Sequence, residues 1–225
     1  MDSGKYLHRP RRRTIESYAL LLLGAHSTVW SQNAGDSGVG AERMLDDFIE
    51  QVQTFSAQFE QQLWTADQEL LETSAGTLSI ARPNRFAWHY RAPYEQQVIV
   101  DGARYWTYDV DLEQASVGPL PEQLRNSPAM LLSGDRNVRE SFDITETFTL
   151  DGKSWVRLEP RESGGDFSSV LIAFRDGLLL ELELVDGLDQ TTRIAFSDIE
   201  INARIDASVF EFDPPAGVDV IGDPG

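Results

Sequence analysis

The sequence predicts a mainly β protein, a single antiparallel meander of about ten strands that curls toward a barrel. Three observations predict it. From residue 55 to residue 199, short runs alternate apolar with polar side chains, the period of a half-buried strand. Asp-Gly pairs at Asp101-Gly102, Asp151-Gly152, Asp176-Gly177 and Asp186-Gly187 punctuate those runs, and such pairs accept the positive backbone angles of tight hairpins. The chain is 225 residues long, which fits one domain with a sizeable core and requires no second.

The first 34 residues differ from the rest. Lys5, Arg9, Arg11, Arg12 and Arg13 make a basic start and Ala19 to Leu23 opens an apolar run, the pattern of a secretory signal peptide. Gly24, His26 and Ser27 interrupt that run too soon for a bilayer span. Cleavage is expected after Ser31 or Ala34. Arg12-Arg13 raises a twin-arginine export route, which Thr14, Ile15 and Glu16 fit poorly. Residues 35 to 225 are then a single exported domain that starts with a flexible Gly-Asp-Ser-Gly-Val-Gly stretch.

Leu45, Phe48, Ile49 and Val52 follow at helical spacing with Glu42, Asp46, Asp47 and Glu50 opposite, so residues 41–53 form an amphipathic helix. At Phe55 the period changes from helix to strand. The expected strands are 55–63, 70–80, 85–91, 96–100, 104–108, 113–117, 142–150, 154–159, 167–175, 178–185 and 191–199. Two short helical pieces interrupt them. Ser127 to Gly134 has a cap residue, Pro at the first helical position and Gly past the end, and its Met130, Leu131 and Leu132 need an apolar surface. Asp206 to Phe210 is a single capped turn before the Pro214-Pro215 stop.

The formal charge is −18, from 19 basic and 37 acidic residues. Loss of the leader, with five basic and two acidic residues, deepens it by three to −21. Nucleic acid and anionic bilayers would be repelled by most of that surface. There is no cysteine, so an exported domain depends on its core, as suits a periplasmic protein.

Catalysis is poorly supported. His8 and His26 lie in the leader, and His89 alternates with Trp88 onto the opposite strand face, where a solvated histidine is expected. One histidine and no cysteine give no zinc or copper set. Asp109, Asp111 and Glu113 read as a solvated turn without a full loop of calcium ligands. Neither a phosphate-cradling glycine loop nor a nucleophile elbow is present.

The strongest feature is an aromatic and aliphatic sheet face made of Phe59, Leu78, Ile80, Phe86, Trp88, Tyr90, Trp106, Tyr108, Ile172, Phe174, Leu182 and Phe196. Two readings stand. It is an ordinary core capped by the first helix, or the wall of a curved sheet around a space for a small apolar ligand. Arg82, beside Pro83, is either a surface charge or a guanidinium facing that interior in need of acceptors.

In order and spacing the chain resembles the LolA family of periplasmic outer-membrane lipoprotein carriers. The resemblance runs over residues 42–221. It is carried by Phe55-x-x-x-Phe59, Gly76-x-Leu78, Arg82-Pro83-x-x-Phe86-x-Trp88, Pro93, Asp101-Gly102, Trp106-x-Tyr108 and Leu112-Glu113-Gln114. It continues in Ser127-Pro128-Ala129-x-Leu131-Leu132, Leu158-x-Pro160, Asp186-x-x-x-Gln190 and Phe210-x-Phe212-x-Pro214-Pro215-x-Gly217-Val218-x-Val220. The resemblance implies a strongly curved antiparallel half-barrel with short helices as a lid over an apolar cavity. It also implies a carrier that takes triacylated lipoproteins from the inner-membrane ABC transporter LolCDE to the outer-membrane receptor LolB, with no cofactor and no metal. Arg82 matches the family's lid-latching arginine, Phe86 matches a cavity residue, and Ile49, Met130 and Leu131 would line the lid side. LolB shares the fold but carries its anchor on an N-terminal cysteine, and the stress regulator RseB has a second domain for which there is no length. An exported apolar-ligand-binding or envelope-sensing domain of the same fold is the alternative. A lipid enzyme lacks an evident nucleophile and base.

Overall fold

The computed structural model describes residues 34–119, 132, 138–162 and 167–222. Among the described residues, the α-helices are α1 (Ala34–Gln51) and α2 (Val138–Ser141), and Leu132 is also helical. The first six strands are β1 (Thr54–Trp64), β2 (Leu70–Ala81), β3 (Arg85–Ala92), β4 (Gln96–Asp101), β5 (Arg104–Asp109) and β6 (Gln114–Pro119). Six more follow: β7 (Phe142–Leu150), β8 (Lys153–Pro160), β9 (Phe167–Arg175), β10 (Leu178–Asp186), β11 (Thr191–Ile201) and β12 (Asp219–Gly222).

All twelve strands join one open, curved sheet in the order β12-β6-β5-β4-β3-β2-β1-β11-β10-β9-β8-β7. The eleven strands expected from the alternating pattern are present within about two residues at each end, the usual latitude of strand limits. β12 was not foreseen, and it pairs parallel with β6, Asp219 opposite Gln114 and Gly222 opposite Val117. It is four residues long with no alternating run, so its order comes from the edge it docks on rather than from its own pattern. A side chain at Gly222 would bring its Cβ within 2.0 Å of the Val117 carbonyl oxygen, so only glycine permits this approach.

Two of the Asp-Gly pairs make the expected tight hairpins, with both residues at positive φ: Asp151 and Gly152, and Asp176 and Gly177. Asp186-Gly187 does not. There Asp186 Oδ1 accepts from the Leu188 and Gln190 backbone amides at 2.8 and 2.9 Å, and the left-handed residue is Asp189. An Asx-type loop of this kind explains the Asp186-x-x-x-Gln190 spacing.

α1 starts earlier than expected, at Ala34, so the Gly-rich stretch 35–40 continues the helix instead of forming a flexible lead-in. Once the apolar stripe is anchored, each added residue gains one backbone bond without a new nucleus. Ala41, Leu45, Phe48 and Val52 form that stripe, all buried against β7, β8 and β9. The 3₁₀ turn Ala207–Phe210 is present as expected, with Asp206 as its cap accepting from the Ser208 amide at 3.0 Å. The expected helical piece at 127–134 lies outside the described residues except for Leu132, which is buried.

Candidate functional site

Cross-strand register decides which side chains share a face, because partners in antiparallel strands point the same way. Phe59 lies opposite both Phe196 and Gly76, Leu78 opposite Trp88, Ile80 opposite Phe86, and Leu182 opposite Ile172. Together with Phe174 these residues are buried in one cluster under α1, and Tyr90 and Ile49 pack half-buried at its margin. Trp88 Nε1 and Tyr90 carry the polar atoms of this otherwise apolar wall. Phe59 stands at the centre of an aromatic group, its ring 5.1 Å from Trp88 and 5.2 Å from Tyr90, edge on to both. Gly76 makes room for it. A Cβ there would sit 2.9 Å from the Phe59 ring and 1.8 Å from the His89 carbonyl oxygen.

Trp106 and Tyr108 do not belong to this face. Ile99 pairs with both Ala87 and Trp106, and Tyr108 lies two residues beyond, so all of them point to the opposite side of the sheet. There Trp106 packs in a second cluster with Ala81, Ala87, Ile99, Val117 and Phe210, and Phe212 lies 5.2 Å from Trp106 and 5.3 Å from Tyr108. The expectation that these two aromatics line the helix-covered face is thereby corrected: their β5 neighbour Tyr105, half-buried against the first cluster, takes that side. Met130 and Leu131 lie outside the described residues.

Arg82 leaves the end of β2 and turns under α1. Nε and Nη2 donate to the Leu132 carbonyl oxygen at 3.0 and 2.7 Å, and Nη1 donates to the Phe48 carbonyl at 3.4 Å and to that of Ile49. Its guanidinium also lies over the Phe48 ring, 5.3 Å from the centroid. The interior reading of this arginine is the one the structure supports, and α1 explains why it is placed so. The last carbonyls of a helix have no intrahelical donor and carry the negative end of its dipole. Ile49 would otherwise bond the Gln53 amide, which instead donates to Asn202 Oδ1 at 2.7 Å. Arg82 supplies the missing donor. Burial lowers its pKa to about 10, still well above neutrality, so the cation persists among dipoles.

Two residues of this closure carry no local signal in the sequence. Asn202, at a left-handed backbone position past β11, donates to the Gln51 carbonyl at 3.1 Å and receives the Gln53 amide, which closes the helix end from the other side. Arg139 of α2 bridges to Glu42 at 3.1 Å and Asp46 at 3.0 Å, tying α2 to α1. The acidic face of α1 was legible, but its partner is 93 to 97 residues away.

His89 lies on the face opposite Trp88, as alternation requires, yet it is not a fully solvated histidine. Its Nε2 is buried without a partner among the described residues, and burial followed by the charge of Arg91 lowers its pKa, with Glu95 opposing. It borders a groove of ≈ 490 Å³ beneath Ser208, Val209 and Glu211. Asp109 is engaged within its own turn, accepting from Gln96 Nε2 and the Leu112 amide, both at 3.0 Å. Among the described residues no three His, Cys, Asp or Glu side chains gather as a metal ion would need. No helix among the described residues is long and apolar enough to cross a membrane.

Comparison with known proteins agrees with this architecture. A family model described as "Outer membrane lipoprotein carrier protein LolA" matches residues 50–213. An outer-membrane lipoprotein carrier protein of Dechloromonas aromatica is 34% identical over 206 residues, covering 92% of this chain and 93% of its own. One from Leptothrix cholodnii is 37% identical over 212 residues, covering 94% of this chain and 97% of its own. Among solved structures, an uncharacterized conserved protein of Thermus thermophilus superposes with a TM-score of 0.52 at 11% identity, over 81% of this chain and 98% of its own, which shows a shared fold.

Proposed function

The chain belongs to the LolA family of outer membrane lipoprotein carrier proteins, and from that premise we propose how it carries lipoproteins. The helix-covered face from Phe59 to Phe196 receives the acyl chains, and α1 is the lid that moves aside for them. The carrier collects triacylated lipoproteins from LolCDE and yields them to LolB in the periplasm, which it reaches through removal of residues 1–34. No step requires catalysis.

The observation that carries this reading is the bonding of Arg82 to the Phe48, Ile49 and Leu132 carbonyls above an aromatic wall. Cargo entry separates α1 from β2 and breaks those bonds. A hydrogen bond to a charged group contributes about 1.5–3 kcal/mol, whereas each buried CH₂ returns about 0.8 kcal/mol. With three carbonyls engaged the latch amounts to roughly 4.5–9 kcal/mol, so about six to eleven buried methylenes, most of one acyl chain, offset it, and the remaining chain length sets retention. Because the latch exists only in the closed form, it opposes retention and helps delivery, as any differential interaction shifts a two-state equilibrium. Deleting it leaves a carrier without its latch, which holds cargo too well. Arg82→Leu, purified from the periplasm, should carry more bound lipoprotein than wild type and hand it over several-fold more slowly. Equal loading together with equal transfer rates would refute the latch.

A further inference from the structure

The apolar wall contains one polar atom that its surroundings leave unanswered. Trp88 is 7% exposed, and its indole Nε1 is buried with no acceptor among the described residues. Its cross-strand partners on β2 and β4 are Leu78 and Val98, and its ring neighbours are Phe59 and Tyr90 at 5.1 and 6.0 Å, none of which presents an acceptor toward a donor already stacked among rings. The Tyr90 hydroxyl donates to Gln61 Oε1 at 3.3 Å, and its oxygen makes no hydrogen bond with Trp88 Nε1. Buried indole donors normally find a partner, since leaving one unpaired forfeits the bond it makes with water.

Three other buried nitrogens share this condition, and each lies at the sheet margin or beside a surface cleft. Trp64 is half-exposed at the end of β1. Trp155 borders a surface cleft of ≈ 200 Å³, and His89 borders the ≈ 490 Å³ groove. Trp88 borders neither of these clefts, and it stands in the face assigned above to acyl chains.

Resting on that carrier assignment, we propose that Trp88 Nε1–H donates to an acyl carbonyl oxygen of the cargo, the ester or amide group that joins a fatty chain to its head. The wall then recognises acylated chains as distinct from bare hydrocarbon, and Trp88 fixes how far a chain slides in. Hydrocarbon burial supplies affinity without direction, while one donor at a set depth supplies register.

The test compares a short-chain triacylated cysteinyl peptide with an otherwise matched peptide whose chains are ether- and alkyl-linked, titrated calorimetrically into the full protein. Wild type should bind the carbonyl-bearing peptide on the order of tenfold more tightly, the effect of one good hydrogen bond. Trp88→Phe should bind both alike, at the level wild type shows for the ether peptide. In wild type labelled with ¹⁵N-tryptophan, one indole N–H should shift downfield with the carbonyl peptide and not with the ether peptide, a readout that needs no variant to fold. A diacylglycerol of equal chain length separates sources: equal preference assigns the contact to any glyceryl ester, and loss of preference assigns it to the amide-linked chain of a lipoprotein. Equal affinity of wild type for the two peptides, or a preference that survives Trp88→Phe, overturns the proposal and leaves the carrier assignment standing. Failure of both peptides to bind overturns the carrier assignment at this face, and this proposal with it.

Discussion

Arg82 and His89 show how much a single position depends on what is packed over it. Both are charged or chargeable side chains near a sheet that alternation describes well. Arg82 remains a cation because burial lowers its pKa only to about 10, and helix-end carbonyls receive its donors, whereas burial and the charge of Arg91 bring the pKa of His89 below 6.5. The sign of the consequence follows. The unfolded chain binds the proton more readily than the folded one, so the stability contributed by the neutral ring is complete above pH 6.5 and is lost as pH falls through the lowered folded value. In urea titrations, the wild-type midpoint should drop between about pH 7 and about pH 5.5, a window above most carboxylate titration. His89→Gln should show a clearly smaller drop over the same interval, and an identical pH slope in the two proteins would contradict this account.

At the scale of elements, α1 is held, besides the Arg82 contacts, at two places of unequal worth. The side chain of Asn202 accepts from the Gln53 and Thr54 amides and donates to the Gln51 carbonyl at the helix end, and loss of such a cap costs about 1 kcal/mol. Arg139 makes its ion pairs with side chains some 42–44% exposed, where a pair contributes about 0.2–1 kcal/mol and salt screens it. Amide hydrogen exchange in the last turn of α1 should therefore accelerate about fivefold in Asn202→Ala, and in Arg139→Ala, whose pairs contact the first half of the helix, it should change less, with the difference shrinking as salt is raised. The reverse ranking would show that the exposed pairs hold the helix. These same contacts mark where the sequence stopped being informative. Strands β1 to β11 were legible because alternation and turn residues are local. The stripe of α1 was legible because its period is local too. The faces of Trp106 and Tyr108 were misjudged because a strand's side is fixed by register across β3, β4 and β5, and two large aromatics at alternate positions look the same whichever side they take. Arg82 could be placed near an interior but its acceptors belong to α1 and Leu132, 33 to 50 residues away in sequence. The contacts of Asn202 and Arg139 lie farther still, and β12 has meaning only as a partner for β6.

Over the whole molecule, charge is the most one-sided property, −18 formally with a sequence pI near 4.4. A surface so acidic steers diffusing partners with basic patches and loses that advantage within the Debye length, about 10 Å at 0.1 M salt. Transfer of lipoprotein to and from the carrier should slow by about tenfold or more from 50 to 500 mM salt if partners with basic patches are steered in this way, through the association rate and with dissociation little changed. Salt independence would exclude electrostatic steering. Topology has a consequence of its own, for the order in which the chain becomes a fold. β1, the first strand to emerge, lies at the middle of the sheet, and its partner β11 is about 140 residues downstream, the separation of Gln58 from Asp198. Hairpins β1 to β6 close over a few residues each, but joining the two halves closes a loop whose entropic cost is roughly 4 kcal/mol. Pairing of such high contact order comes late. Until β11 arrives, β1 presents Phe55, Ala57 and Phe59 along an unpaired central edge, the kind of edge that captures strands from other chains. A newly made chain is thus most vulnerable to misassembly in its own first half, and protection during that interval falls to whatever holds β1 before the second half is delivered.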